Sequence, residues 1–255
     1  MTRPGGALVL VPNTLDFGVH TEAPDLQEVL PLGVIRIAAT LTHWVAENAK
    51  TTRAFLKRVD AVVPLAQTLQ SLSIVELPRA PKGNQPIPEA GLLPLLDPAR
   101  AGHDIGLISE AGLPAVADPG AALVRTAHVA GIKVMTLPGP SAIVLAVAAS
   151  GLNGQSFAFS GYLPVDAKQR AARIQELEAT SRRLGQTQVV IETPYRNQAL
   201  LAALSAHLQP GTWLSVSCGL TLPSGFTRSD TVAKWRLAPL QMPADVPAMF
   251  ALLGS

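Results

Sequence analysis

The sequence predicts an α/β protein of two domains, a parallel-sheet N-terminal domain over 1–138 and a mixed-sheet C-terminal domain over 139–255. Three observations predict it. Short runs of Val, Ile and Leu alternate with longer stretches of helical period, the beat of strands joined by crossover helices. The length of 255 residues, with 48% hydrophobic and 15% charged, suffices for two cores and excludes a disordered chain. Near the C-terminus, strand-like runs follow one another without a helical stretch between them, so the second sheet must contain antiparallel pairs.

In the first half, strands are expected at Ala7 to Val11, Val34 to Ala38, Asp104 to Ile108 and Lys133 to Leu137. A helix is expected from Leu41 to Val59, where Leu41, Trp44, Val45, Phe55, Leu56 and Val59 recur mostly three or four apart. Thr40 or Thr42 would cap it, and Lys57 with Arg58 would complement the macrodipole in its last turn. Its charged face then reads as solvated surface. Pro78, Pro81, Pro86, Pro88, Pro94 and Pro98, with Gly83, Asn84 and Gly91, mark a surface loop ahead of a short helix. The segment Leu137 to Ala142 (LPGPSA) places a Pro-Gly-Pro stiffener at the domain boundary, with Ser141 positioned to cap the Ala/Val-rich helix at Ala142 to Ala149.

The second half reads as strand (Ser156 to Phe159), Arg-rich helix (Asp166 to Leu184), strand (Gln188 to Glu192) and helix (Tyr195 to His207). Strands at Trp213 to Ser217, Phe226 to Val232 and Ala248 to Leu253 complete it.

Several function classes are excluded by what the chain lacks. A formal charge of +2, from 20 basic and 18 acidic side chains, confines any RNA contact to local patches. Those patches are Lys50, Arg53, Lys57 and Arg58, and Arg170, Arg173, Arg182 and Arg183. The single cysteine, Cys218, allows no internal disulfide or cysteine-rich metal site and suits a reducing, cytoplasmic setting. The 5 histidines show no HxxxH spacing, so no metal site is expected. No G-x-G-x-x-G follows the first strand, no P-loop is present, and Ser141 is not in a nucleophile elbow. No apolar run approaches the roughly 18 residues of a membrane span, and the N-terminus does not read as a signal peptide.

The segment Ile108 to Gly120 (ISEAGLPAVADPG) carries the most chemistry. Gly112 and Gly120 permit close backbone approach, Pro114 and Pro119 stiffen the turn, and the segment leaves the carboxyl end of a parallel strand, where open α/β sheets bind ligands. It reads equally as an ordinary strand–turn–helix with Asp118 as N-cap and Pro119 at the first helical position. Three further segments follow it in order: LPGPSA (137–142), SGYLP (160–164) and IETPYRN (191–197).

In that order and spacing, from about Ala7 to about Leu253, the chain resembles the tetrapyrrole-methylase superfamily of S-adenosylmethionine methyltransferases. Within it, the chain looks most like the group that methylates a cytidine ribose 2′-hydroxyl of 16S ribosomal RNA. The resemblance implies a homodimer of two-domain subunits with S-adenosylmethionine held in the cleft between the domains, largely by backbone. By matched positions it assigns Gly112, Leu113, Pro114 and Val116 to the methionine portion and Ser141 and Ala142 to a second cofactor loop. Thr193 and Gly219 match the adenosine side, and Pro12 the family's first loop. The chain departs from the family where VPNTLDFG (11–18) is poorer in glycine, and where AENAKTT (46–52) keeps Glu47 but has Asn48 and Lys50 for an Asp and an Arg. It departs again where the Pro-rich segment replaces a His-rich loop, and where the chain stops just after the last strand.

Methyl transfer from a sulfonium chiefly requires orientation, with a proton acceptor for a ribose hydroxyl. Glu47 and Glu110 are the candidate bases, Asp118 being assigned to capping and Glu192 to a pair with Arg196. Tyr195 and Arg196 can stack on or clamp a nucleotide, with Lys50 and Arg53 as further RNA contacts, or they can form a plain helix start with Arg196 tied to Glu192. The expected function is therefore a ribosomal RNA 2′-O-methyltransferase. The alternatives are a methyltransferase with a small tetrapyrrole-like substrate and a silent paralogue that kept the cofactor pocket as a binding or scaffold protein.

Overall fold

Ala7–Leu10 (β1) is buried along its whole length, as a central parallel strand must be when helices cover both faces of its sheet. The computed structural model describes residues 5–16, 25–78 and 89–255. Phe17, Gly18 and His20, and Pro81, Gly83, Asn84, Pro86 and Pro88 of the Pro-rich segment, lie outside the described residues. The chain forms two compact units that divide between Pro140 and Ser141.

In the first unit β1 is followed by Leu26–Val29 (α1), Leu32–Thr40 (α2), His43–Ala46 (β2), Ala49–Val62 (α3) and Ser73–Glu76 (β3). Glu89–Leu92 (α4), a tight helical turn at Leu93–Leu96, Asp97–Arg100 (α5), Ile105–Ile108 (β4), Ala121–Val129 (α6) and Lys133–Thr136 (β5) complete it. The strands form a parallel 5-stranded sheet in the order β3-β2-β4-β1-β5. Alternate residues serve opposite faces. Ala7, Val9, Trp44, Ala46 and Ile108 pack with Val34 and Ile35 of α2 and Phe55, Leu56 and Val59 of α3. Leu8, Leu10, Val45, Ile105 and Leu107 pack with Leu92, Leu96, Leu123 and Ala127.

Two sequence expectations are corrected here. Val34 to Ala38 is not a strand but the middle of α2: Val34, Ile35, Ala38 and Ala39 are its buried residues, a helical stripe that β-branched composition disguises. Leu41 to Val59 is not one helix. Its first part is β2, whose Trp44, Val45 and Ala46 are buried in the sheet, and the helix starts at Ala49. Its cap is therefore Asn48, whose side chain accepts from the backbone N–H of Lys50 and Thr51, rather than Thr40 or Thr42. Because α3 runs to Val62, Lys57 and Arg58 sit in its interior. Arg58 is not merely solvated: it pairs at 3.1 Å with Asp16, which is 1% exposed. The edge strand β3 has no counterpart among the expected elements.

The second unit contains Ala142–Ser150 (α7), Phe157–Phe159 (β6), Ala167–Leu184 (α8), Thr187–Glu192 (β7), Asn197–His207 (α9), Trp213–Cys218 (β8), Phe226–Thr231 (β9), Val232–Leu237 (α10) and Ala248–Leu253 (β10). Its 5-stranded sheet has the order β6-β7-β10-β8-β9, mixed as expected: β6 and β7 are parallel, and β10 is antiparallel to both its neighbours. The short helix α10 separates β9 from β10, so the final strands are not directly consecutive. Asp166 caps α8 through the N–H of Gln169, and Gly185 closes it at φ 60°. Residues of α8, α9 and α10 form the core on one face of the sheet, including Ile174, Leu200, Leu204 and Trp235. On the other face Ile143, Ala146 and Val147 of α7 pack with Val189, Met249 and Ala251. Ser141 occupies the N-cap position of α7, but its hydroxyl makes no capping bond.

Candidate functional site

The order of the first sheet decides where a ligand is accepted. The connection leaving β1 leads toward β2 on one side, and the connection leaving β4 leads to β5 on the other. The carboxyl ends of β1 and β4, side by side, therefore form a topological switch point, the usual ligand crevice of an open α/β sheet. The loops from these two ends are stitched together by Asn13, which sequence reasoning missed. Its N–H donates to Gly112 O at 2.9 Å, and its side-chain amide donates to Ser109 O at 3.2 Å and Glu110 O at 3.0 Å. The only sequence signal was a short polar residue in VPNT where the family pattern favours glycine.

The loop 109–120 is held under strain. Gly112 has φ 65° and Gly120 φ 128°, but Ala115 and Ala117 also adopt φ 67° and 65°, a region costly for a side chain bearing Cβ. Asp118 does not cap the following helix, and Pro119 is not its first residue: α6 begins at Ala121 with Gly120 at the N-cap position. The third loop comes equally close. A Cβ on Gly139 would lie 2.2 Å from Pro12 Cβ, and one on Gly112 would lie 3.5 Å from Pro140 O. Pro12, Gly112 and the Pro138–Pro140 turn are thus one packed group within the first unit.

Beside this group lies an open groove of about 550 Å³, lined by Leu10, Leu113, Pro114, Val116 and residues 136–139. Its size falls in the range of small-molecule sites, about 300–1,000 Å³. Its lining is mainly apolar, and Val116 is 46% exposed. Of the residues singled out in the sequence, it gathers Leu113, Pro114 and Val116, with Pro12 and Gly112 directly behind.

At the same carboxyl edge stand the acidic side chains. Glu47 is not on a helix face; it follows the last residue of β2, and its Oε2 accepts from the N–H of Glu110 at 3.0 Å. Burial raises the Glu47 pKa above the usual range, against the lowering effect of that bond. Asp118, released from capping, is pushed up to about 6, first by burial and then by the charge of Glu47, with a hydrogen bond to Ser109 pulling the other way. Lys50 and Arg53 are exposed on α3.

In the second unit, Thr193 follows β7 and Gly219 follows β8. Glu192 and Cys218 both pair with Ala248 at the start of β10, so Thr193 and Gly219 share one sheet edge. Gly219 turns at φ 61°. Glu192 is fully buried; its Oε1 accepts from the Thr193 N–H at 2.8 Å, and its Oε2 lies 2.9 Å from Arg196. Arg196 also donates to Leu163 O at 3.2 Å, so its guanidinium is engaged by the protein, whereas Tyr195 is 80% exposed. The Arg170 guanidinium is likewise bonded to Val165 O at 2.9 Å, and Arg173 pairs with Glu176 at 2.7 Å. Burial raises the Cys218 thiol to about 11, which leaves it protonated at neutral pH. Among the described residues no group of His, Cys, Asp and Glu is placed to hold a metal ion, and no helix is long and apolar enough to cross a membrane.

A switch-point groove beneath a strained, proline-stiffened loop, on an open parallel sheet followed by a mixed-sheet unit, defines an α/β fold with a ligand-sized groove at the carboxyl end of its first sheet. The chain belongs to the tetrapyrrole (corrin/porphyrin) methylases, whose family model matches residues 36–224. Two solved structures share the fold. A uroporphyrin-III-C-methyltransferase from Thermus thermophilus matches 97% of this chain and 92% of its own, with TM-score 0.51 and 19% identity. The methyltransferase CobJ matches 98% and 95%, with TM-score 0.57 and 16% identity.

Relatives in sequence are more specific. A protein of Halalkalibacterium halodurans named ribosomal RNA small subunit methyltransferase I is 42% identical over 178 residues, 70% of this chain and 55% of that protein. Its namesake from Mesorhizobium japonicum is 37% identical over 153 residues, 60% of this chain and 50% of that protein. The Vibrio cholerae namesake is 42% identical over 102 residues, 40% of this chain and 34% of that protein. The chain thus spans between about a third and about half of the length of these relatives.

Proposed function

We propose that the chain is an S-adenosylmethionine-dependent methyltransferase acting on small-subunit ribosomal RNA at a ribose 2′-hydroxyl, working as a homodimer in the cytoplasm. The observation that carries this reading is the groove at the switch point, in which the family-matched residues Leu113, Pro114 and Val116 form one wall. The sequence relatives named for ribosomal RNA methylation favour RNA as the substrate.

The groove fits the cofactor in kind: it is large enough for a nucleoside-sized molecule, largely apolar, and backed by backbone at Gly112 and Gly139, where a Cβ would crowd its neighbours. Leu113, Pro114 and Val116, with Pro12 and Gly112 packed beside the Pro138–Pro140 turn, would hold the cofactor at this groove of the first unit. S-adenosylmethionine supplies a methyl group already activated by its sulfonium. What remains for the protein is to hold the acceptor in line and receive one proton.

Asp118 joins Glu47 and Glu110 as the proton acceptors of this edge. A carboxylate with a pKa of about 6 is mostly ionised at neutral pH yet more basic than an ordinary aspartate, which suits a general base. Lys50 and Arg53 on α3 and Tyr195 beyond β7 are the assigned RNA contacts, with Arg196 fixing the loop that carries Tyr195. The test is incubation of the purified chain with methyl-labelled S-adenosylmethionine and undermethylated small ribosomal subunits. Label in a 2′-O-methylated nucleoside of the RNA is expected; label in no RNA, with transfer to a tetrapyrrole precursor instead, would overturn the substrate.

A further inference from the structure

A second open groove, of about 610 Å³, lies in the first unit where α1, α2 and α3 meet. Asp25 and Gln27 at the α1 turn, Arg36 of α2, and Arg58, Ala61 and Val62 of α3 are among its lining. It shares no lining residue with the cofactor groove, and it is charged where that one is apolar.

The charges around it do not cancel. Arg58 serves the fold: its Nη1 lies 3.1 Å from the carboxylate of Asp16, which is 1% exposed, and donates to Thr14 Oγ1 at 3.2 Å. Asp25 caps α1, its Oδ1 accepting from the Gln27 N–H at 3.0 Å. Arg36 is exposed, and among the described residues no hydrogen bond or ion pair engages its guanidinium. On a convex surface such an arginine is ordinary. Set in a concave wall beside Ala61 and Val62, it has its field concentrated into the groove.

The basic surface continues past the groove. Lys57 precedes Ala61 by one helical turn, so it stands next to the groove on the same face of α3, and Arg53 and Lys50 extend that stripe turn by turn. All three are exposed. The one acid of α3, Asp60, accepts from the Leu65 N–H at 3.0 Å. A small free anion would need Arg36 alone. Cations repeated along a helix that leads into a groove suit successive phosphates of a nucleic-acid strand.

We propose that the groove between α2 and α3 seats a phosphate of the RNA backbone, with Arg36 as its direct contact, and that Lys57, Arg53 and Lys50 carry the adjoining phosphates along α3. The proposal rests on the RNA reading given above and deepens it. This face holds the strand by its backbone, so it positions the substrate and does not read its sequence.

The test uses the full chain and a fluorescent transcript of a small-subunit ribosomal RNA fragment, with affinity read by anisotropy across a salt series. Arg36→Ala and Lys57→Ala should each weaken binding about threefold to tenfold at low salt and flatten the slope of log affinity against log salt by about 1. Asp25→Asn, which keeps a capping side chain and removes the acid of the groove, should strengthen binding about twofold. Lys168→Ala removes the same charge from an exposed position on α8, outside the groove, and should stay within about twofold of wild type. None of the four should change the melting temperature appreciably, or the calorimetric affinity for S-adenosylmethionine. Wild-type affinity and salt slope in Arg36→Ala would overturn the groove, and in Lys57→Ala its continuation along α3. An equal loss in Lys168→Ala would mark a response to net charge alone and overturn both. Absence of affinity in the wild-type chain at low salt would instead overturn the RNA reading itself.

Discussion

Replacing Asp118 by Asn should stabilise the first unit at neutral pH and lose that effect in mild acid. The carboxyl is raised from its ordinary 3.8 to about 6 by burial and by the facing charges of Glu47 and Glu110. Below 3.8 it is protonated whether the chain is folded or not. Between 3.8 and about 6 the folded state keeps a proton that the unfolded chain releases, so stability falls as pH rises; above about 6 the full penalty is present. At full weight that gap corresponds to about 3 kcal/mol, and the partial solvent access of the side chain screens it to about 1 kcal/mol. Asn removes the charge while keeping the shape. Its gain of about 1 kcal/mol at pH 7 should shrink to about a third at pH 4.5, with a rise in melting temperature of about 2–4 °C at pH 7. Paired thermal melts of wild type and variant at the two pH values provide the assay. A variant less stable than wild type at pH 7, or a gain independent of pH, would refute the reasoning.

Other outcomes follow from the same geometry. Gly139→Ala must push its new Cβ away from Pro12, 2.2 Å distant, and should cost about 1–3 kcal/mol in urea unfolding, with loss of cofactor affinity in calorimetry. Ala115→Gly relieves a left-handed residue worth about 1–2 kcal/mol and adds chain entropy of about 0.5–1 kcal/mol. A small net gain in stability is expected, with weaker cofactor binding because the loop is loosened. Asn13→Ala removes two side-chain bonds that join the β1 and β4 loops, and should cost about 1–3 kcal/mol of stability; an unchanged unfolding midpoint would show that the stitch is idle.

The parts of the fold legible in the sequence were those with local signatures. Asp166 and Gly185 bracket α8 because a cap and a left-handed closure are residue-specific, and the apolar runs at β1, β4, β5 and β10 stand out against polar turns. Val34 to Ala38 misled because a short apolar run buried in the core has the same composition in a strand or a helix. The run from Leu41 misled because His43–Ala46 continues the spacing of α3 by coincidence, and Asn48 marks the true start. Ser73–Glu76 is an edge strand with only partial burial, so it leaves little apolar signal. At the site, Gly112 to Pro114 and Leu137 to Pro140 were legible because stiff turns need Gly and Pro. The stitch by Asn13, the approach of Glu47 to Glu110 and the release of Asp118 from capping were not. They depend on β4 inserting between β1 and β2, a pairing distant in sequence.

The most direct test of the cofactor groove is a calorimetric titration of S-adenosylmethionine into wild type and a Val116→Trp variant, which places a large ring on an exposed wall without touching the core. Saturable binding at one site per chain in the wild type, reduced at least tenfold in the variant with an unchanged melting temperature, is the predicted result. Equal affinity in the two proteins would place the cofactor elsewhere and contradict the account.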